Sequence, residues 1–313
     1  MKNNQQIVEE KSKMDTEKAK VILTVLKEGS FSAAAKTLGY TTSGISRSVA
    51  SLEEEAGIRL LVRGKNGVYA TKEAELLLPV MRTLVHQENL YREQISQLHG
   101  LEIGTVTIGI SYAAYFKIVA QKIRRFVEKY PGIRVRTMQG TSTELLHALD
   151  QREVDFSVMT YRESDYHFHE LCQDPMVACI PANHPAADDE VFPLSFYGKE
   201  PVIAAFPDRE TDHRRAIEQA GIPYNVQYTT TDIFAAYCMV EAGLGIALFN
   251  HLEVGSWRGN VKILPTDPPI NLRIGITYPN PEEMTIAARK FLEDWMREPT
   301  DIDSHQRWRY SMR

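Results

Sequence analysis

With 313 residues, 43% of them hydrophobic and 25% charged, the composition is that of a globular protein with more than one core, because a single core rarely organises so long a chain. No apolar run approaches the ~20 residues of a membrane span. Residues 1–14, MKNNQQIVEEKSKM, have no apolar centre of the secretory type, so the reading is a cytoplasmic protein without a membrane partner. The net charge of −5 hides an asymmetry: residues 1–72 hold twelve Lys or Arg against eight Asp or Glu, which leaves −9 for the remainder. A footprint for a polyanion therefore belongs to the N-terminal part. Cys172, Cys179 and Cys238 are too scattered for a disulfide framework or zinc knuckle and are expected as reduced, partly buried thiols.

The stretch DTEKAKVILTVLKE (15–28) predicts a helix with Ala19, Ile22 or Leu23, and Leu26 on its inner face, stopped by Gly29. SFSAAAKTLG predicts a second, short helix, capped by Ser32 and ended by Gly39. A third helix follows in GYTTSGISRSVASLEEEAG (39–57), with Thr42 as its cap and Ile45, Val49, Leu52 and Ala56 as its buried stripe. Ser43, Arg47, Ala50 and Glu54 then point the opposite way. Its outward start is small, hydroxylated and basic, which suits entry into a DNA major groove: small residues allow close approach, hydroxyls and the helix N-terminus hold phosphates, and arginine reads guanine. A capped surface helix is the competing reading of this segment alone.

IRLLVRGKNGVYAT (58–71) reads as two short strands joined around Asn66-Gly67, and three helices with a hairpin make a winged helix-turn-helix. Arg63, Lys65 and Lys72 would meet phosphates, or stand as a solvated basic turn. Residues 72–99 predict one long helix capped by Thr71, with a seam of Leu77, Met81, Leu84, Glu88, Tyr91, Ile95 and Leu98, and with Pro79 inside it. Such a seam is a dimerisation device; packing on its own domain is the alternative.

From Gly104 strands and helices alternate: TVTIGI, a helix over Tyr112 to Tyr130, IRVRTM, a helix over Ser142 to Asp150, then VDFSVM. A similar series restarts at PVIAAF and runs through a helix around Arg214 to Ala220, NVQYTT, a helix over 232–242, and GIALFN. Two α/β lobes built on parallel strands are expected, with LRIGITY and a helix over 281–297 returning to the first. Several strand ends empty into hydroxyl residues at helix starts: Ser111 and Tyr112, Thr141 in a capping box with Glu144, Thr160, and Thr229 to Asp232. Converging on a cleft, they would bind a small anion or polar metabolite; each could instead merely cap its helix.

Catalytic and metal patterns stay incomplete. Gly109-Ile110-Ser111-Tyr112-Ala113 resembles a nucleophile elbow but has Ala113 where a second glycine belongs. HFHELC brings His167, His169 and Cys172 close together without a second ligand pair. Gly243 and Gly245 suggest a dinucleotide loop but precede a strand, so a helix-to-strand turn is expected. No catalytic residue, metal site or cofactor is assigned.

The segment FSAAAKTLGYTTSGISRSVASLEEEAGIRLLVR resembles the LysR-type transcriptional regulators through Ala34-Ala35, Leu38, Ser46-Arg47, Leu52-Glu53, Gly57 and Arg63, and VEAGLGIAL is similar to that family's ligand-binding domain. Thr41-Thr42-Ser43-Gly44 departs from the family's usual Thr-Gln-Pro-Ala or Thr-Gln-Ser-Ala, Leu61 from its phenylalanine, and Glu75 from a glycine. The resemblance spans Met14 to about Glu298. It implies an α/β protein with a winged helix-turn-helix over 14–71, a linker helix over 72–102 and a bilobal, periplasmic-binding-protein-like effector domain over 103–298, between tails 1–13 and 299–313. The expected partners are operator DNA, a small-molecule effector and further copies of the chain, paired through the linker and assembled as a tetramer. The DNA set is Ser32, Thr41, Thr42, Ser43, Ser46, Arg47, Arg63 and Lys65; the effector set is Ser111, Tyr112, Thr141, Ser142, Thr160, Phe206, Thr231 and Asp232. A solute-binding protein or an enzyme on the same bilobal fold is the alternative, with a signal peptide or a cleft base as its missing mark.

Overall fold

Residues 15–100, 102–255 and 257–297 are described by the computed structural model, so both expected tails lie outside the described residues. The chain divides into two units after residue 101. The first opens with three helices, α1 (Thr16–Glu28), α2 (Phe31–Leu38) and α3 (Thr42–Ala56). Gly29, Gly39 and Gly57 end them in the left-handed conformation that a Cβ disfavours. Two caps differ from expectation by one or two positions. Ser30, extended at φ −154°, caps α2 through Ala33 N–H, and Thr41 caps α3 through Gly44 N–H. Ser32 and Thr42 already lie inside the helical turns, where no orphan N–H stands three residues ahead of an extended backbone.

Ile22, Val25, Ile45, Val49 and Leu52 form the core, each contributing about 1.5–3 kcal/mol by leaving water. Val25 takes the fully buried place expected of Leu26, which packs at the margin. Ala56 is exposed, contrary to the expected stripe, because the chain turns at Gly57 and buries Leu60 instead. The wing pairs β1 (Leu61–Gly64) with β2 (Gly67–Ala70), leaving Lys65-Asn66 as a two-residue loop. Glu53 accepts from Leu60 N–H at 2.7 Å and Leu61 N–H at 3.0 Å, so the acidic end of α3 ties down the wing's entry.

Helix α4 (Lys72–Leu98) runs unbroken through Pro79. Its first turns lie against α1, burying Ala74, Leu78 and Met81. Glu88, buried at its carboxylate, pairs with Lys20 of α1 and Arg92, and the bond from Lys20 leads the contacts that hold its carboxyl down at about 2. The apolar face left outward is Leu76, Val80, Leu84, Tyr91, Ile95 and Leu98. The expected seam is therefore corrected at its start: Met81 is buried and Leu77 half-buried in the chain's own domain, and Leu76 and Val80 take their places outside.

The second unit holds a mixed sheet in the order β4 (Ile133–Gln139), β3 (Gly104–Ile110), β5 (Phe156–Thr160), β12 (Asn271–Tyr278), β6 (His167–Pro181), β11 (Val261–Asp267), β7 (Phe192–Pro193), with β10 (Ala247–Asn250) also on β6. Strand β3 (Gly104–Ile110) pairs in parallel with β4 (Ile133–Gln139) and β5 (Phe156–Thr160), as the alternating pattern predicts. Gly109 has no room for a side chain, since a Cβ would stand 2.3 Å from Ser157 Oγ, so the glycine of the suspected elbow serves strand packing. Helices α5 (Phe116–Lys129) and α6 (Ser142–Asp150) complete the crossovers, a short 3-10 turn at Ala113–Tyr115 replacing the expected start of α5 at Tyr112.

The long strand β6 (His167–Pro181) was not expected. Its first half lies antiparallel to β12 (Asn271–Tyr278), and its second half lies between β10 (Ala247–Asn250) and β11 (Val261–Asp267). It thus carries one sheet from the first lobe into the second, whose strands are accordingly mixed rather than all parallel. The two-residue strand β7 (Phe192–Pro193) ends that sheet, and β8 (Val202–Ala205) pairs in parallel with β9 (Val226–Thr230). Helices α7 (Asp212–Gln219), α8 (Ile233–Glu241) and α9 (His251–Val254) belong to the second lobe. Strand β12 and α10 (Ile286–Arg297) return to the first lobe, where Phe291 and Trp295 pack on Phe156. His167, His169 and Cys172 stand on β6, where no metal cluster exists among the described residues. Cys179 is buried, its thiol pushed up to about 12 by desolvation, whereas Cys238 is exposed rather than partly buried.

Candidate functional site

Two surfaces gather the residues singled out by sequence. On the first unit, Thr41, Thr42, Ser43, Arg47 and Ala50 are all exposed along one side of α3, and Ser46 is half-buried beside them. Arg47 Nε reaches Ser43 O at 3.4 Å, so its guanidinium lies along the helix start. Of the three acids at the far end, Glu53 is turned to the backbone of the wing's entry and Glu55 is paired with Lys18 at 2.6 Å, which offsets one repulsive charge and directs another away from the helix start. Ser32 is exposed on α2 and bonded to Ser30. Arg63 lies 4.7 Å above the Phe31 ring, and Lys65 projects at the tip of the wing. Helix start and wing thus present hydroxyls, N–H groups and three cations.

On the second unit, a cavity of about 1130 Å³ opens between the lobes. Six of the eight expected effector residues line it: Ser111, Tyr112, Thr141, Phe206, Thr231 and Asp232. Ser142 and Thr160 are buried behind the wall, where Ser142 Oγ accepts from Thr160 N–H and donates to Asp212 at 2.9 Å. Thr141 forms its expected capping box with Glu144, while Asp232 caps α8 through Ala235 N–H. Phe206 sits at φ +54°, a conformation costly for an aromatic residue, held by its N–H to Thr230 O at 2.7 Å.

The centre of the wall is a polar network absent from the sequence reading. Asp212, at the start of α7 in the second lobe, accepts from Tyr112 Oη, Ser142 Oγ and Arg162, all of the first lobe. Burial alone would raise its pKa; the Arg162 charge and the bonds from Tyr112 and Arg162 bring it below the ordinary carboxylate value. A second cross-lobe contact joins Arg209 to Glu144, with Nε to Oε1 at 2.8 Å. Beside Asp212, His213 Nε2 and Glu253 Oε2 face each other at 3.7 Å and neither atom has a hydrogen-bond partner, while Asn250 interacts with both residues. Burial, with Asp174 nearby, pushes the Glu253 carboxyl up to about 8, and burial lowers His213, so both are mainly neutral at pH 7. Asp174 lies deeper, accepting from Leu252 N–H at 3.1 Å and Tyr115 Oη at 3.3 Å; desolvation raises it to about 7. The sequence signal for Asp212 is its place after the cap Thr211, which marks a helix start but not a buried acid.

The family model described as the LysR substrate binding domain matches residues 99–298, and that of the bacterial regulatory helix-turn-helix protein, lysR family, matches residues 16–75. The chain belongs to the LysR family. It is a DNA-binding transcriptional regulator with an effector-binding domain. The LysR-family relatives include the uncharacterised regulator YvbU of Bacillus subtilis, 24% identical over 88% of this chain and 95% of its own length. The dual regulator GltC of the same organism is 27% identical over 80% of this chain and 86% of its own. Among solved structures, a full-length OxyR variant from Pseudomonas aeruginosa superposes with a TM-score of 0.67 at 19% identity, over 90% of this chain and 95% of that one. CbnR, a LysR-family regulator solved with its target DNA, gives 0.59 at 16% identity, over 91% of this chain and 99% of that one. The family models and the relatives named as regulators support the regulatory reading, and the solved structures share the fold. No helix among the described residues is long and apolar enough to cross a membrane.

Proposed function

We propose that this LysR-type regulator acts on operator DNA in the cytoplasm as a homotetramer, a dimer of dimers, and catalyses no reaction. A small molecule held between the lobes would bind two quaternary arrangements unequally and so shift their populations and the bending of the DNA. The domain limits supported by this reading are 14–71 for the DNA-binding module, 72–102 for the linker helix and 103–298 for the effector domain. Thr41, Thr42, Ser43, Ser46 and Arg47 would approach base edges and phosphates, with Ser32, Arg63 and Lys65 on the backbone. The observation that carries the reading is the exposed start of α3, hydroxylated and basic, with one of its three distal acids paired and another turned to the wing's entry.

The test is a footprint on the DNA beside its own gene, titrated with salt and competitor. Protection longer than one dimer covers, falling steeply with salt, is expected; no preference over competitor at any salt defeats the proposal. Arg47→Ala should weaken specific binding by ~1–3 kcal/mol without altering thermal unfolding. Equal operator affinity would remove Arg47 from the base-reading set.

The free apolar side of α4 supplies the dimer contact in this reading. Leu84 and Tyr91 are 37% and 63% exposed on that side. Replacing both with glutamate should bring the protein to its 35.6 kDa monomer in sedimentation velocity while leaving its helicity intact. An unchanged sedimentation coefficient would place the interface elsewhere.

A further inference from the structure

The arginines around the cleft, and several of its other anion receptors, are already occupied by carboxylates of the chain itself, while Ser111 Oγ and the helical start at Ala113, which no side chain caps, are not. Arg162, Tyr112 and Ser142 are used by Asp212; Arg209 and the N–H of Thr141 are used by Glu144; the N-terminus of α8 is capped by Asp232. The cavity wall carries Asp232, Glu253 and Asp212, the last paired with Arg162, and its arginine, Arg209, is paired with Glu144. Three buried polar atoms of wall residues, Ser111 Oγ, Glu253 Oε2 and His213 Nε2, have no hydrogen-bond partner, and Glu253 and His213 are 7% and 6% exposed. Aromatic faces complete the lining: Phe234, 54% exposed, lies edge-on to Trp257 at 5.2 Å, and Phe206 stands at the same cavity. Among the described wall residues a carboxylate effector would meet no unpaired arginine or lysine and would face Asp232 and Glu253; a cation would meet acceptors and ring faces.

We propose that the cleft of this regulator takes an organic cation, a protonated amine carried on an apolar or aromatic body, with Glu253 as its counter-charge and Phe234 and Trp257 as its walls. This rests on reading the cleft as the effector site. The ammonium donates to Glu253, which gives up its proton to solvent as the ligand charge arrives. The groups facing Glu253 are Asp174 from β6, Asp212 and His213 from α7, Tyr112 and Tyr115 from the segment after β3, and Asn250 at the end of β10. Asp174 and Asp212 oppose ionisation of Glu253 until a cation is present. Binding at pH 7 therefore releases protons, and affinity rises as pH climbs from about 6 to 8, before the amine itself titrates.

The test uses the full-length protein and matched probes on one carbon frame: 2-phenylethylamine, 3-phenylpropanoate and 2-phenylethanol, then butylamine, pentanoate and butan-1-ol. Calorimetry should show at least one amine binding about tenfold or more tightly than its matched acid and alcohol. Its heat should depend on the buffer in the sense of proton release, and its preference should be lost in Glu253→Gln and weakened in Phe234→Ala. An acid or alcohol that binds as well as the amine, no amine binding at all, or a preference unmoved by both variants overturns the proposal. Failure of the site itself is read apart from this: Ser111→Trp, which fills the cleft, should alter the DNA footprint, and an unaltered footprint would remove the effector reading as well.

Discussion

Asp212→Asn should destabilise the effector domain by about 3–5 kcal/mol, the usual cost of leaving one partner of a buried ion pair alone. Asp212 and Arg162 are both nearly sealed from solvent, with side chains 2% and 7% exposed. The amide removes the charge while keeping the shape, so Arg162 is stranded, and the carboxamide NH2 is set against Tyr112, Ser142 or Arg162, which are donors. Chemical denaturation of the full-length protein checks the size of the loss. The double variant Arg162→Met with Asp212→Leu should recover much of it, because two apolar side chains of similar volume leave no orphaned charge. A loss below about 1 kcal/mol for Asp212→Asn would show that the pair is solvated and holds nothing. The same bonds cross from one lobe to the other, so the single variant should also loosen the cleft, visible as faster amide exchange at Tyr112 and Asp212.

The parts legible in the sequence were those with a local period. Ile45, Val49 and Leu52 mark the inner face of α3 by helical spacing, and Thr141 with Glu144 marks the start of α6 within three residues. The start of α4 misled for a related reason. Leu76 and Val80 and the pair Leu77 and Met81 each repeat every four residues, so spacing does not say which stripe its own domain will claim. Strand β6 was missed because HFHELCQDPMVACIP has Pro175 at its centre, an exposed first half and a buried second half, which is neither alternation nor a continuous apolar run. The hydroxyls at strand ends marked much of the cleft wall, but the network around Asp212 left no such trace. Tyr112, Ser142, Arg162 and Asp212 meet from four separate segments, and a polar network with no sequence spacing becomes visible only when the sheet is assembled.

Glu253→Gln should stabilise the effector domain, and by an amount that grows with pH. A carboxyl whose folded pKa stands at about 8, above its ordinary 4.5, is held protonated in the fold and ionises on unfolding. The folded state then binds more protons than the unfolded one throughout that interval, so the native protein loses stability as pH rises from about 5 to 8. At about 1.4 kcal/mol per unit, this single group costs a few kcal/mol at the upper end. Glutamine has no charge to desolvate, so its advantage should be small near pH 5, should rise through neutrality and should level off above about pH 8. Asp174, raised to about 7 beside it, adds a slope of the same sign in both proteins and so drops out of their difference. Thermal unfolding of the two proteins at pH 5.5, 7 and 8.5 decides the matter. A constant difference across the three, or a variant less stable at pH 8.5, would mean that Glu253 is ionised and partnered in the native fold, and with that the counter-charge offered to a ligand would already be spent.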